Sequence, residues 1–113
     1  MKAVILSLVL FATFTGKPVI TDRIVYVDEE YAVIFLSTEA IYLKSDADRL
    51  IEEVYSAAVR EYPELKVAVT RDAGSYGRAK LYKENGRADA LAKLAAQTYS
   101  KYGRHTEKTL AIC

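Results

Sequence analysis

The chain has 113 residues, of which 51% are hydrophobic and 27% charged, and its formal net charge is +1. This length is typical of one ordinary domain with one core, so the sequence predicts a single domain over residues 1–113 and excludes a disordered chain. The single cysteine, Cys113, excludes an internal disulfide and zinc sites built from paired cysteines.

Two compositional features bear on where the protein works. One cysteine without a partner favours a reducing, cytoplasmic compartment. The sequence also has one Asn, one Gln and one His, and such scarcity of labile side chains is typical of proteins from thermophiles.

An apolar run from Ala3 to Ala12 follows Lys2 and lies within the first predicted strand, Ala3–Phe14. A charged residue before such a run is typical of a secretory signal, and the run is too short to span a bilayer. Its β-branched and aromatic residues, with the turn-forming residues 15–18 after it, favour a buried strand. Secretion stays the alternative if residues 1–16 act as a signal.

Two further strands are predicted, over Val19–Val27 and Tyr31–Leu36. The second is apolar at consecutive positions, which is typical of a strand buried on both faces. A break at residues 37–39 would set a separate short strand over Ala40–Leu43, so the opening is a meander of three or four strands.

The clearest helix can be capped by Ser45 and is ended by Pro63. Its apolar stripe consists of Ala47, Leu50, Ile51, Val54, Tyr55, Ala58 and Tyr62. A valine-rich strand over Leu65–Thr70 follows.

Residues 71–86 contain three of the five glycines and predict a loop or a hairpin. A second helix is predicted from Asn85 or Gly86 to Tyr102, with Gly103 in the left-handed position after its end. Residues 109–112 predict a closing strand.

The order is therefore β-β-β(β)-α-β-α-β, in an α/β or α+β domain with a mixed sheet covered by two helices. This order is compatible with a ribonuclease H-like layout, although fold does not determine function.

Charge is distributed unevenly along the chain. Residues 1–59 hold five Lys/Arg against nine Asp/Glu, a balance of −4, and residues 60–113 hold eleven against six, a balance of +5. The basic half predicts contact with nucleic acid or an acidic protein, and the two halves together would suit head-to-tail self-association.

The candidate binding site lies in the glycine-containing segment of the basic half. Glycines let backbone N–H groups approach a phosphate, Arg and Lys supply charge, and an exposed Tyr can stack on a base. The predicted nucleic-acid or anion-binding residues are Arg71, Gly74, Ser75, Tyr76, Gly77, Arg78, Lys80 and Lys83. The Gly74-x-x-Gly77 pattern with basic neighbours resembles the backbone clamp of KH-type RNA binders, although that family places its loop between two helices. A solvated hairpin tip is the alternative.

A metal-dependent nuclease is a third hypothesis, because two-metal chemistry needs converging carboxylates. The candidates are Asp22, Glu52 or Glu53, Asp72 and Asp89, and residues 85–92 look like the final acidic helix of ribonuclease H enzymes. However, the first predicted strand has no acidic residue, where that family keeps its leading aspartate.

No catalytic residue, cofactor or metal is predicted, because His105 stands without a nucleophile motif and the glycines match no phosphate-binding P-loop or dinucleotide fingerprint. Nine tyrosines and a long apolar strand favour a homodimer. The sequence thus predicts a small, non-enzymatic binding protein, with a structural or interaction protein as the alternative.

Overall fold

A computed structural model of the chain describes residues 19–39 and 43–104, which form one small α+β domain. Its main elements are three strands in a mixed sheet and three helices. In chain order they are β1 (Ile20–Val27), β2 (Tyr31–Thr38), α1 (Lys44–Glu61), β3 (Lys66–Thr70), α2 (Ala73–Glu84), α3 (Ala88–Tyr102) and the two-residue β4 (Gly103–Arg104).

The sheet follows the order β1-β2-β3-β4. β1 runs antiparallel to β2, with Val25 opposite Ile34, and β2 runs parallel to β3, with Ile34 opposite Val69. The parallel pair is joined through α1, because a parallel connection needs a crossover long enough to return the chain to the same edge. The prediction of a mixed sheet is confirmed.

β2 carries the core because both of its faces are covered. Its residues 32–36 are all buried, as the continuous apolar run predicts. Val33 and Phe35 belong to one apolar cluster, whereas Ala32, Ile34 and Leu36 belong to the other. This division follows from the alternation of side chains along a strand.

The two faces of the sheet are covered by different helices. α1 packs on one face through its predicted apolar stripe, with Ala47, Leu50 and Ala58 buried. α2 and α3 pack on the other face, where Ala79, Leu94 and Ala95 are buried with Phe35 of the sheet. The domain therefore has three layers, helix on sheet on helices.

Helix α2 corrects the prediction of a loop or hairpin over residues 71–86. Gly74 and Gly77 lower helix propensity, and the inward positions Ser75 and Ala79 are small, so no apolar stripe marks the helix in the sequence. Both small residues are buried, which lets α2 approach the sheet closely. Tertiary packing thus stabilises a helix that local propensity does not favour.

The break between α2 and α3 is a Schellman motif, in place of the predicted helix start at Asn85 or Gly86. Arg87 N–H donates to the Tyr82 carbonyl at 2.8 Å and Gly86 N–H to the Lys83 carbonyl at 3.3 Å. Gly86 has φ +66°, so the left-handed position lies here. Gly103, predicted to be left-handed, is extended with φ −72°, and a Cβ at this residue would overlap the Tyr99 side chain and carbonyl.

Two boundaries differ from the predictions. α1 begins at Lys44 after Leu43 and has no side-chain cap, so Ser45 does not cap it. β2 continues through Ser37 to Thr38, because these residues pair with β1, and residues 37–38 do not break it.

Other predictions fall on residues that the structure does not describe, namely 1–18, 40–42 and 105–113. They include the strands over Ala3–Phe14 and residues 109–112 and the segment over Ala40–Leu43, apart from Leu43 itself. The complete strand order and the ribonuclease H-like layout stay predictions. Within the part of the chain that is described, no helix is long and apolar enough to cross a membrane.

Candidate functional site

Seven of the eight predicted binding residues lie on α2, and Arg71 lies between β3 and α2. Gly74 and Gly77 occupy helical positions and do not form a loop tip. Arg78, Lys80 and Lys83 are exposed, whereas Ser75 is buried and Tyr76 is half-buried. The helix therefore exposes the charged members and the two glycines but buries Ser75.

The N-terminus of α2 is already capped by a side chain of the protein. Oδ2 of Asp72 accepts hydrogen bonds from the Ser75 N–H at 3.0 Å and from the Ser75 Oγ at 2.7 Å. These hydrogen bonds lower the pKa of Asp72 below its usual value, and Lys101 and Arg78 act in the same direction. A carboxylate thus occupies the position where the glycine pattern predicts a phosphate.

Tyr76 joins α2 to β1. Its hydroxyl donates a hydrogen bond to Oδ2 of Asp22, and its ring packs against the core cluster of that face. The hydrogen bond from Tyr76 lowers the pKa of Asp22, as do the Arg23 N–H and the charges of Lys80 and Lys83. A ring packed in this way is not placed as the exposed stacking group that the sequence predicts.

The charges of the basic residues of α2 act on two carboxylates. Lys80 and Lys83 help to lower the pKa of Asp22, and Arg78 helps to lower the pKa of Asp72.

Charge separates between the two helical layers. The α1 layer, residues 44–64, has three basic side chains against six acidic ones, a balance of −3. Residues 73–102 have six against two, a balance of +4. We call the exposed basic side chains of the second layer the basic face, and they are Arg78, Lys80, Lys83, Arg87, Lys93 and Lys101.

Two cavities, not predicted from the sequence, lie at the carboxyl edge of the parallel strands. The larger, of about 640 Å³, lies between the first turns of α1, the end of β3 and Tyr102. The smaller, of about 400 Å³, lies between the end of β2 and the start of α2. Arg71 and Asp72 line both cavities.

A signal for this edge was present in the sequence. A strand, helix, strand order predicts a parallel pair, and open α/β sheets form crevices outside the carboxyl ends of such strands. Thr70 ends the second strand of that pair, and Arg71 and Asp72 follow it directly. Thr70 Oγ1 accepts a hydrogen bond from the Asp72 N–H at 3.0 Å, which fixes the turn that brings Arg71 to this edge.

An aromatic and basic cluster, also not predicted from the sequence, lies at the opposite end of β2 and β3. The rings of Tyr31 and Tyr99 are 5.3 Å apart, and Lys66 Nζ lies 5.5 Å and 5.9 Å from their centroids. Lys66 also donates to Glu30 Oε1 at 2.9 Å. The contact with Glu30 raises the pKa of Lys66, and the charged lysine lies near the rings of Tyr31 on β2 and Tyr99 on α3.

The carboxylates proposed for a nuclease are dispersed. Glu52 and Glu53 are exposed on α1, whereas Asp22 and Tyr76 lie on the opposite face of the sheet. Asp89 lies in the first turn of α3 and accepts from Arg87 Nε at 3.3 Å. Among residues 19–39 and 43–104, no three His, Cys, Asp or Glu side chains are grouped closely enough to hold a metal ion.

Comparison with known proteins adds no relative to this description. No protein-family model, no curated protein and no solved structure matches the chain.

Proposed function

We propose that the protein is a small, non-enzymatic binding protein whose basic face contacts the phosphate backbone of a nucleic acid. The observation that carries the proposal is the opposite charge of the two helical layers, −3 for residues 44–64 and +4 for residues 73–102. Because the sheet separates these layers, a polyanion meets attraction on one side of the domain and repulsion on the other.

The character of the basic face favours backbone contacts over base reading. Its lysines and arginines are exposed, and such side chains position a nucleic acid through its phosphates. Leu81 of α2 is 54% exposed and offers an apolar contact to a sugar or base. We therefore expect binding of low sequence specificity and strong salt dependence.

Fluorescence anisotropy tests this proposal with single- and double-stranded DNA and RNA at two salt concentrations. Replacing Lys80 and Lys83 together by alanine removes two positive charges from the basic face. We expect at least a tenfold weaker affinity and a salt slope reduced by up to about 2, because each phosphate contact releases counterions.

The matched control replaces Arg49 and Arg60 by alanine, since both are exposed on α1 and their loss changes the net charge equally. This variant should bind almost as the unaltered protein does. Equal weakening by both double variants, or no binding to any of the four nucleic acids at low salt, would refute the proposal. Binding to polyglutamate alone would favour the acidic protein partner as the alternative.

A homodimer is a second proposal, supported by a separate observation. Val25 and Val27 on β1 are 41% and 43% exposed, and β1 is an outer strand of the described sheet. An outer strand with exposed apolar side chains can pair with the same strand of a second copy. Sedimentation equilibrium should then give twice the mass of the chain, and Val25→Lys should return it to the monomer.

A further inference from the structure

The larger cavity at the carboxyl edge has the size and composition of a small-molecule site. Its volume of about 640 Å³ lies within the range of ligand pockets in proteins. Ala47 and Ile51 of α1 and Val69 of β3 give it an apolar wall. Thr70, Arg71 and Tyr102 supply polar groups that can orient a ligand.

Arg71 is the cation best placed to select the ligand. It is half-buried at the end of β3 and lines both cavities, whereas Lys44 at the mouth is strongly exposed and lies 3.7 Å from Asp48. A guanidinium has five N–H donors in a planar fork, so it can contact the protein and a ligand at once. That fork matches the two oxygens of a carboxylate.

The acidic neighbour of Arg71 limits the charge of the ligand. Asp72 also lines the cavity, and its two hydrogen bonds from Ser75 favour its ionised form. The Asp72 carboxylate would repel a ligand with two negative charges more strongly than a monoanion that pairs with Arg71.

We propose that this cavity binds a small organic monocarboxylate, with its carboxylate on the Arg71 guanidinium and its apolar body along Ala47, Ile51 and Val69. The proposal is independent of nucleic-acid binding, because Arg78, Lys80 and Lys83 do not line the cavity. A protein that fails to bind nucleic acid can still be tested for carboxylate binding, and the reverse also holds.

Amide NMR titration of the isotopically labelled protein tests the proposal with three probes of one chain length, hexanoate, 1-hexanol and hexylamine. We expect hexanoate to bind at least tenfold more tightly than the other two, with shifts centred on residues 43–51 and 69–72. Acetate, butanoate and hexanoate form the second series. Their affinity should rise by up to about fourfold for each methylene group buried against the apolar wall.

Three variants locate the site. Arg71→Gln should remove the preference for hexanoate over hexanol, whereas Arg49→Gln on the outer surface of α1 should leave it unchanged. Ala47→Leu should fill the apolar wall and weaken hexanoate more than acetate. The dispersion of the amide spectrum shows whether each variant is folded.

The head-group and chain-length series use the unaltered protein, so they decide the question even if a variant fails to fold. Equal affinity for the three head groups would refute the proposal. So would an absence of saturable shifts up to 50 mM hexanoate, or shifts centred away from the carboxyl edge.

Discussion

Asp72 links the local structure of α2 to both proposed sites. It caps the helix through Ser75 and lines the cavities with Arg71. The charges of Lys101 and Arg78 help to lower its pKa. The sequence places an aspartate before a glycine-containing segment, which is compatible with either a turn or a helix start. Only the packing of Ser75 and Ala79 against the sheet decided between the two.

Replacing Asp72 by alanine should lower the free energy of unfolding by about 1 to 2 kcal/mol, because α2 loses its cap. The buried Ser75 hydroxyl also loses its acceptor. Urea denaturation measures the change, and Asp72→Asn, which keeps a cap acceptor, should recover much of the loss. An unchanged midpoint for Asp72→Ala would contradict the capping role.

At the scale of elements, α2 is the main difference between prediction and structure. The sequence marks α1 clearly, because its apolar stripe recurs at helical spacing and is buried or half-buried in the structure. α2 has two glycines and a narrow stripe of small residues, so its sequence resembles a loop. The sequence predicts a helix start at the Asn85-Gly86 pair, whereas this pair ends α2 and supplies the one left-handed residue among those described.

Two glycine substitutions distinguish a helix from a loop in this segment. Gly77→Ala should stabilise the protein by about 0.5 to 1 kcal/mol, because Gly77 is exposed in a helix interior and a Cβ meets no atom within 4 Å. Gly86→Ala should destabilise it, because φ +66° is unfavourable for a residue with a Cβ. Thermal unfolding of the two variants shows whether each substitution raises or lowers the stability of the protein. A destabilised Gly77→Ala would favour the loop.

At the scale of the molecule, the fold places the acidic and the basic halves of the sequence in different layers, so that their charges lie on opposite sides of the sheet. The helix of the acidic half covers one face of the sheet, and the two helices of the basic half cover the other. The same chain path brings the carboxyl ends of β2 and β3 together and forms the cavities beside Arg71. The basic face and the proposed carboxylate site therefore depend on the arrangement of whole layers.

Acid should destabilise the folded domain through its aspartates. Hydrogen bonds hold the pKa of Asp22, Asp72 and Asp89 below the ordinary value of 3.8, and in Asp28 the hydrogen bonds outweigh an opposing effect of burial. Because the folded pKa values are depressed, this stability is present above about pH 4 and is lost as pH falls through the folded values.

Urea midpoints measured between pH 6 and pH 2.5 check this expectation. The titration of these aspartates should change the midpoint little down to about pH 4. Below that pH the midpoint should fall. Tyr76→Phe removes the largest cause of the Asp22 shift and should make the fall shallower. A midpoint that stays constant to pH 2.5 would contradict the linkage.

The sequence by itself determined β1, β2, α1, β3 and α3 apart from its first residues, because the spacing of apolar residues, consecutive in β2 and at helical intervals in α1, is a local property of the chain. It also determined the charge difference between the two halves. Tertiary structure decided that residues 73–84 are helical, that Asp72 occupies the N-terminus of that helix, and that Arg71 lies between two cavities. These features depend on contacts between residues far apart in the chain, such as Tyr76 with Asp22, and no local pattern of residue types encodes such contacts.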